Sequence, residues 1–419
     1  MSCHQYEIMH SRREFLQKTG LGLGAGALAH LLGGCATSGT AGDPHINGLP
    51  GLPHFAPKAK RVICLFQSGG PSHLDLLDPK PELERQFDKD LPDSIRRGQR
   101  ITGMVASQAR LACQPSRFKF TRHGQAGTEI SELLPHIGGI ADEICVVRSM
   151  HTEAINHDPA ITAINTGSQQ PGKPSMGAWL DWGMGSPNKD LPGYVVMISK
   201  GKGNAQALYD RLWGSGFLPS KHQGVKFRSA GDPVLYLSNP NGISRDMRRN
   251  MLDGIAKINQ AKKMESGDLE IDARIAQYEM AYRMQTSATE VVNIDNESSD
   301  IKNMYGINNP ITADFGRKCL ITRRLIEKGV RFIQLYSGGG HIESTWDGHN
   351  DCITNHKTHA AETDQPIAAL MTDLKQRGLW DETLRVWGGE FGRTPTSEGV
   401  NKPGRDHNWL GFTMWLAGG

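Results

Sequence analysis

The chain has 419 residues, with 47 Lys plus Arg against 44 Asp plus Glu, and its basic residues are spread along it, not gathered into a block. That distribution excludes a nucleic-acid-binding stripe, and beyond the first segment no apolar run approaches membrane-spanning length. Of seven cysteines, Cys3 and Cys35 fall in that first segment; the remaining odd, scattered set is neither a disulfide framework nor a zinc knuckle.

Ser11, Arg12, Arg13, Glu14, Phe15 and Leu16 form the core of a twin-arginine export signal. Behind it, Gly20 to Gly34 is mildly apolar, too short and too glycine-rich to span a bilayer. It closes on Leu32, Gly33, Gly34 and Cys35, a lipobox-like arrangement that marks Cys35 for lipidation, with ordinary cleavage near Ala36 to Ala41 as the alternative. The expected organisation is a signal over 1–35, a linker over 36–59 and a single domain over 60–419. Such a protein sits in the periplasm or on a lipid anchor, and meets the membrane only through the signal or that anchor.

Arg61 to Phe66 predicts a buried strand that ends in the tight loop Gln67, Ser68, Gly69 and Gly70. Glu143 to Arg148 has the same form, and the default for Cys64 and Cys145 in these two runs is a buried thiol. Gly201 to Gly242 is glycine-rich and predicts long surface loops. Met251 to Val292 predicts one or two charged helices broken near Ser266 to Asp268. Phe315 to Lys328 has helical spacing, stops at Gly329 and leads into a strand over Val330 to Tyr336. Gln365 to Arg377, Gly378 and the strand Thr383 to Trp387 copy that unit. Alternating helix and strand predicts an α/β class with a largely parallel central sheet flanked by helices. Gly411 to Leu416 reads as a last strand with nothing behind it to pack, which predicts a missing C-terminal segment.

Open parallel sheets bind ligands beyond the carboxyl ends of their strands. Polar clusters follow the apolar runs there. The first holds Ser68, Gly69, Gly70, Ser72, His73 and Asp75, and the second His151, Glu153, Asn156, His157 and Asp158. The third holds His341, Trp346, Asp347, His349, Asn350 and Asp351; Glu390 and Arg393, then Arg405, Asp406 and His407, complete the set. Histidines and carboxylates returning to one sheet edge are the donors of one or two divalent ions, with Asp347, His349, Glu390 and His407 as the strongest subset. Each also has a plainer role open to it. Glu390 can pair with Arg393 and Asp406 with Arg405, while His356 and His359 would face solvent. The glycine-rich turn at Ser68, Gly69 and Gly70 offers backbone donors to an anion.

At these residues the sequence resembles a large family of exported bacterial proteins, the domain-of-unknown-function 1501 family, grouped with the alkaline phosphatase and sulfatase superfamily. The resemblance runs from about Lys60 to Gly419 on SGGPSHLDLLDPKP, NHDPAITAINTG, GFLPSKHQGV, WDGHND, GEFGRTP and GRDHN. It implies an alkaline-phosphatase-like fold, a domain that continues past Gly419, and metal-dependent hydrolysis of sulfate or phosphate esters on an anionic small molecule or glycan. The implied ion is zinc, calcium or manganese. Asp347, His349 and His407 are similar to the superfamily's distal metal site, and Glu390, Phe391 and Gly392 to its Asp-His-Gly motif without the histidine. His157 stands where sulfatases carry their modified cysteine, and Gln67 and Ser68 replace an acidic pair for which His73 and Asp75 are the nearest substitutes. A histidine cannot become formylglycine, so catalysis would need His157 as base, ligand or phosphoryl acceptor, with Arg393 steadying the anion and Ser68, Gly69, Gly70 and Asn156 around it. The alternative is a non-catalytic member whose degenerate site binds an anionic glycan or an envelope partner.

Overall fold

Alternation in Arg61–Gln67 (β1) sets the layers: Ile63 and Leu65 point to one face of a sheet, Cys64 and Phe66 to the other. The computed structural model describes residues 58–99, 101–199, 209–229, 231–268, 270–338, 345–399 and 404–419. The expected export signal, Cys35, nearly all of the expected linker and His341 lie outside the described residues. Six further strands join β1: Cys145–Met150 (β2), Tyr194–Ser199 (β3), Val225–Phe227 (β4), Phe332–Ser337 (β5), Thr383–Gly388 (β6) and Phe412–Ala417. A short hairpin of Gly392–Arg393 (β7) and His407–Asn408 (β8) precedes that last strand, which is therefore β9.

The seven-stranded sheet runs β2, β9, β6, β1, β5, β3, β4. Its centre is parallel, as the alternating helices require, whereas β9 runs antiparallel to both β6 and β2. The sheet is thus mixed, and β2 is an edge strand. Cys145 is accordingly exposed, not buried like Cys64, because an edge strand has a neighbour on one side only.

On one face, Ala313–Glu327 (α5) and Cys352–Gln376 (α6) pack Leu320, Leu325, Ile367 and Leu370 against Ile63, Ile333 and Val195. Each fully buried Leu or Ile contributes roughly 1.5–3 kcal/mol. On the other face, His157–Thr166 (α1) and Met176–Met184 (α2) bring Ile161 and Leu180 to Tyr194 and Tyr336. The charged segment is two helices, Arg245–Ser266 (α3) and Glu270–Val292 (α4), the first ended by Gly267 in the left-handed region. Helix α6 begins thirteen residues before the predicted start, at Cys352, and carries Pro366 inside it. Among the described residues no helix is long and apolar enough to cross a membrane.

Candidate metal centre

Four chain segments meet beyond the carboxyl ends of β1, β5 and β6: the loop after β1, the N-terminus of α1, the loop 345–351 and the β7/β8 hairpin. They bring His157, Asp347, His349 and His407 together so that one donor atom from each lies within 4.8 Å of every other. His349 Nε2 stands 2.9 Å from Asp347 Oδ1 and 2.8 Å from His407 Nε2. His157 Nε2 stands 3.2 Å from Asp347 Oδ2, out of line for a hydrogen bond and otherwise without a partner.

The outward nitrogens fix how these rings are used. Nδ1 of His157 lies 2.7 Å from Glu390 Oε1, that of His349 2.6 Å from Glu398 Oε2, and that of His407 2.8 Å from the carbonyl of Ile155. A carboxylate or a carbonyl can only accept, so each Nδ1 carries a proton and donates it. In the neutral rings, three Nε2 lone pairs are then left facing one another and Asp347. That is how metal-bound imidazoles are held.

Charge agrees. Asp347, Glu390, Glu398 and Asp406 stand around the centre against the guanidinium of Arg393, a negative excess that a divalent ion would reduce. Burial would raise the Asp347 carboxyl, but Arg393 and the three histidines hold it far below the usual range. Burial would lower His157, yet Asp347 and Glu390 outweigh it and raise the ring to about 9 in the ion-free chain, so an ion must displace the proton on its Nε2, while burial keeps His407 near 3. The donor set, its fixed tautomers and the orphaned Nε2 of His157 fit a metal ion.

Arg393 is buried and fully committed. Nε donates to the Gly70 carbonyl, Nη1 to the Arg405 carbonyl and toward His349 Nε2, and Nη2 to the Gly69 carbonyl and Asp347. All five N–H groups are used in the ion-free chain, and an ion on His349 Nε2 would release the one Nη1 N–H aimed at that atom. Of the expected donors after β1, the Ser68 amide bonds the Ser337 carbonyl and the Gly69 amide bonds Glu390, whereas the Ser68 hydroxyl is buried without a partner. Asn156 is the exposed N-cap of α1, whose first turn keeps N–H groups that no helical carbonyl can satisfy.

His73 and Asp75 lie outside the group. The Arg393 amide donates to His73 Nδ1, and Asp75 takes Arg405 Nε at 2.7 Å and Ser72 Oγ at 2.5 Å. Glu390 reaches the centre through His157 and leaves its other oxygen, Oε2, without a partner. The local pairs Glu390 with Arg393 and Asp406 with Arg405 do not form: Arg393 pairs with Asp347, Arg405 with Asp75, and Asp406 accepts from Thr102 and the His407 amide. His356 and His359 are buried, not solvent-facing, because α6 already includes them; His356 Nε2 accepts from the Ser72 amide. Glu398 was not singled out by the sequence, since it stands in an irregular stretch after Thr396 and Ser397 with no motif around it.

The profile of the family described as "Protein of unknown function (DUF1501)" matches residues 59–419. No curated protein matches the chain. Among solved structures, the alkaline phosphatase of the Antarctic bacterium TAB5 is similar at 11% identity, covering 86% of this chain and 92% of that one, with a TM-score of 0.32. The C-terminal periplasmic domain of EcEptC from Escherichia coli, in complex with Zn, is similar at 10% identity, covering 86% of this chain and 73% of that one, with a TM-score of 0.33. The lipoteichoic acid synthase LtaP of Listeria monocytogenes shares 9% identity over 80% of this chain and 57% of its own, with a TM-score of 0.31.

Proposed function

The chain belongs to the DUF1501 family, and from that membership and the geometry above we propose that it is an exported metal-dependent hydrolase of sulfate or phosphate esters, with an alkaline-phosphatase-like fold. One observation carries the reading: three imidazole Nε2 atoms and the Asp347 carboxylate converge on one point, with every Nδ1 tied outward. Three nitrogens and an oxygen favour zinc over calcium, which takes oxygen donors, and over manganese. A divalent ion held there supplies Lewis acidity toward an anionic ester. His157, whose side chain is 11% exposed, is the ring nearest solvent after His349: it either completes the set through Nε2 or, with the ion held by Asp347, His349 and His407, takes or delivers a proton at that atom. With all but one Arg393 N–H committed, the ester's negative charge falls to the first turn of α1, where unsatisfied amides and the helix dipole favour an anion. The substrate class is an anionic small molecule or glycan outside the cytoplasm, reached by the twin-arginine route, with Cys35 as the anchor point.

A second reading has its own observation. Four protein donors complete a tetrahedral set, as closed structural zinc sites do, and that favours a non-catalytic protein that binds an anionic glycan or an envelope partner. Elemental analysis of the purified full chain, paired with assays on p-nitrophenyl phosphate and sulfate, separates the two. Hydrolysis with one divalent ion per chain, both lost in Asp347→Ala and His407→Ala, is the expected result. Stoichiometric metal without hydrolysis supports the second reading, and no metal at all sinks both.

A further inference from the structure

The β7/β8 hairpin has two sides. His407 turns inward to the metal centre, and Asn408, the next residue, belongs to the wall of a separate cavity of about 590 Å³ on the other side. The cavity lies between the exposed short helices Pro81–Arg85 and Asp93–Arg96, and its apolar wall includes Leu74, Leu83, Leu91 and Ile95. Its charges cancel: Asp78 and Glu82 stand against Lys80 and Arg148, and Asp78 is paired with Lys80 at 2.8 Å.

Two polar groups in this wall are unspent. His73 Nδ1 accepts the Arg393 amide, so the ring's proton is on Nε2, which has no partner among the described residues. Asn408 uses its Oδ1 on the Leu410 amide, and its Nδ2 has no partner either. His73 is 7% exposed and lines the cavity, so an acceptor bound there would take the place of water on Nε2.

We propose that this cavity is a second ligand site, for a neutral and mostly apolar small molecule whose carbonyl or ether oxygen accepts from His73 Nε2 and Asn408 Nδ2. The size suits a compact ligand of a few fused rings, and the cancelled charges disfavour an ion. Ligand and metal centre share the hairpin, since His73 holds the Arg393 amide and Arg393 pairs across to His407. The site is independent of whether the metal centre is catalytic.

Titration of the full chain with Prodan, a neutral naphthyl ketone whose emission reports polarity and hydrogen bonding, tests it. Saturable binding of one equivalent with a blue-shifted emission is expected. Ile95→Asp, a change at a residue 58% exposed and so harmless to folding, should weaken binding at least tenfold. Ile258→Asp, at a still more open position on α3, 70% exposed, should leave binding unchanged. Naphthalene, which lacks the acceptor, should compete about tenfold more weakly than the ketone. Binding that does not saturate, that survives Ile95→Asp, or that responds equally to Ile258→Asp overturns the site, and equal competition by naphthalene overturns the role of the two donors.

Discussion

The centre depends as much on the atoms behind the histidines as on the histidines. An imidazole held only by its ring packing could present either nitrogen, but Glu390, Glu398 and the Ile155 carbonyl leave each ring one orientation and one tautomer. Glu398 is the clearest place to test this, because it touches His349 and no other member of the group. Glu398→Ala should weaken divalent-ion affinity by roughly 10–100-fold, measured by competition with a chelating dye. Glu398→Gln should recover most of that loss, since its amide oxygen still accepts from Nδ1. Equal affinity in the alanine variant and the parent would mean that His349 is oriented by its loop alone. Arg393 shows the opposite lesson: a cationic residue beside a cluster of candidate ligands is easily taken for an anion clamp, but its donors hold the chain together at Gly69, Gly70 and Arg405.

Elements position these residues by close approach, and that can be tested by adding one carbon. In α5, a Cβ on Gly316 would come within 2.1 Å of the Tyr305 carbonyl, whereas around Gly254 in α3 there is open space. Helix propensity alone predicts that Ala stabilises both helices by about 1 kcal/mol. Gly254→Ala should therefore gain about that much in a urea titration, and Gly316→Ala should instead lose roughly 1–3 kcal/mol through overpacking. A gain at Gly316 would show that α5 is not clamped against the Tyr305 turn. The sequence made β1, β5, β6 and α5 legible because each keeps one period from end to end. It concealed the first half of α6, where His356, His359 and Glu362 occupy buried positions and Pro366 imitates a helix start. At three residues, β4 was too short to show a period. In the site, Asp347, His349 and His407 were legible as ligand types in short loops. The pairings of Arg393, Arg405 and Glu398 were not, because they join residues that only the fold makes neighbours.

At the scale of the molecule, the centre ties α1, the loop after β5 and the β7/β8 hairpin, so residues from 157 to 407 share one set of donors. An ion bound there stabilises the folded chain by mass action, about 4 kcal/mol when it is present at a thousand times its dissociation constant. Without it, the Nε2 atoms of His349 and His407 stay 2.8 Å apart, and Asp347 is left with Arg393 and the His157 ring proton as counter-charges. Removing metal with a chelator should therefore lower the unfolding midpoint and restore it on addition of zinc but not of calcium. The loss should also be local. Hydrogen exchange should rise at the N-terminus of α1, in the loop 345–351 and in the hairpin, while α3 and α4, which supply none of the donors, keep their protection. A midpoint indifferent to chelation, or an exchange increase spread evenly over α3 and α4, would mean that the four donors hold one another by hydrogen bonds alone and that no ion belongs between them.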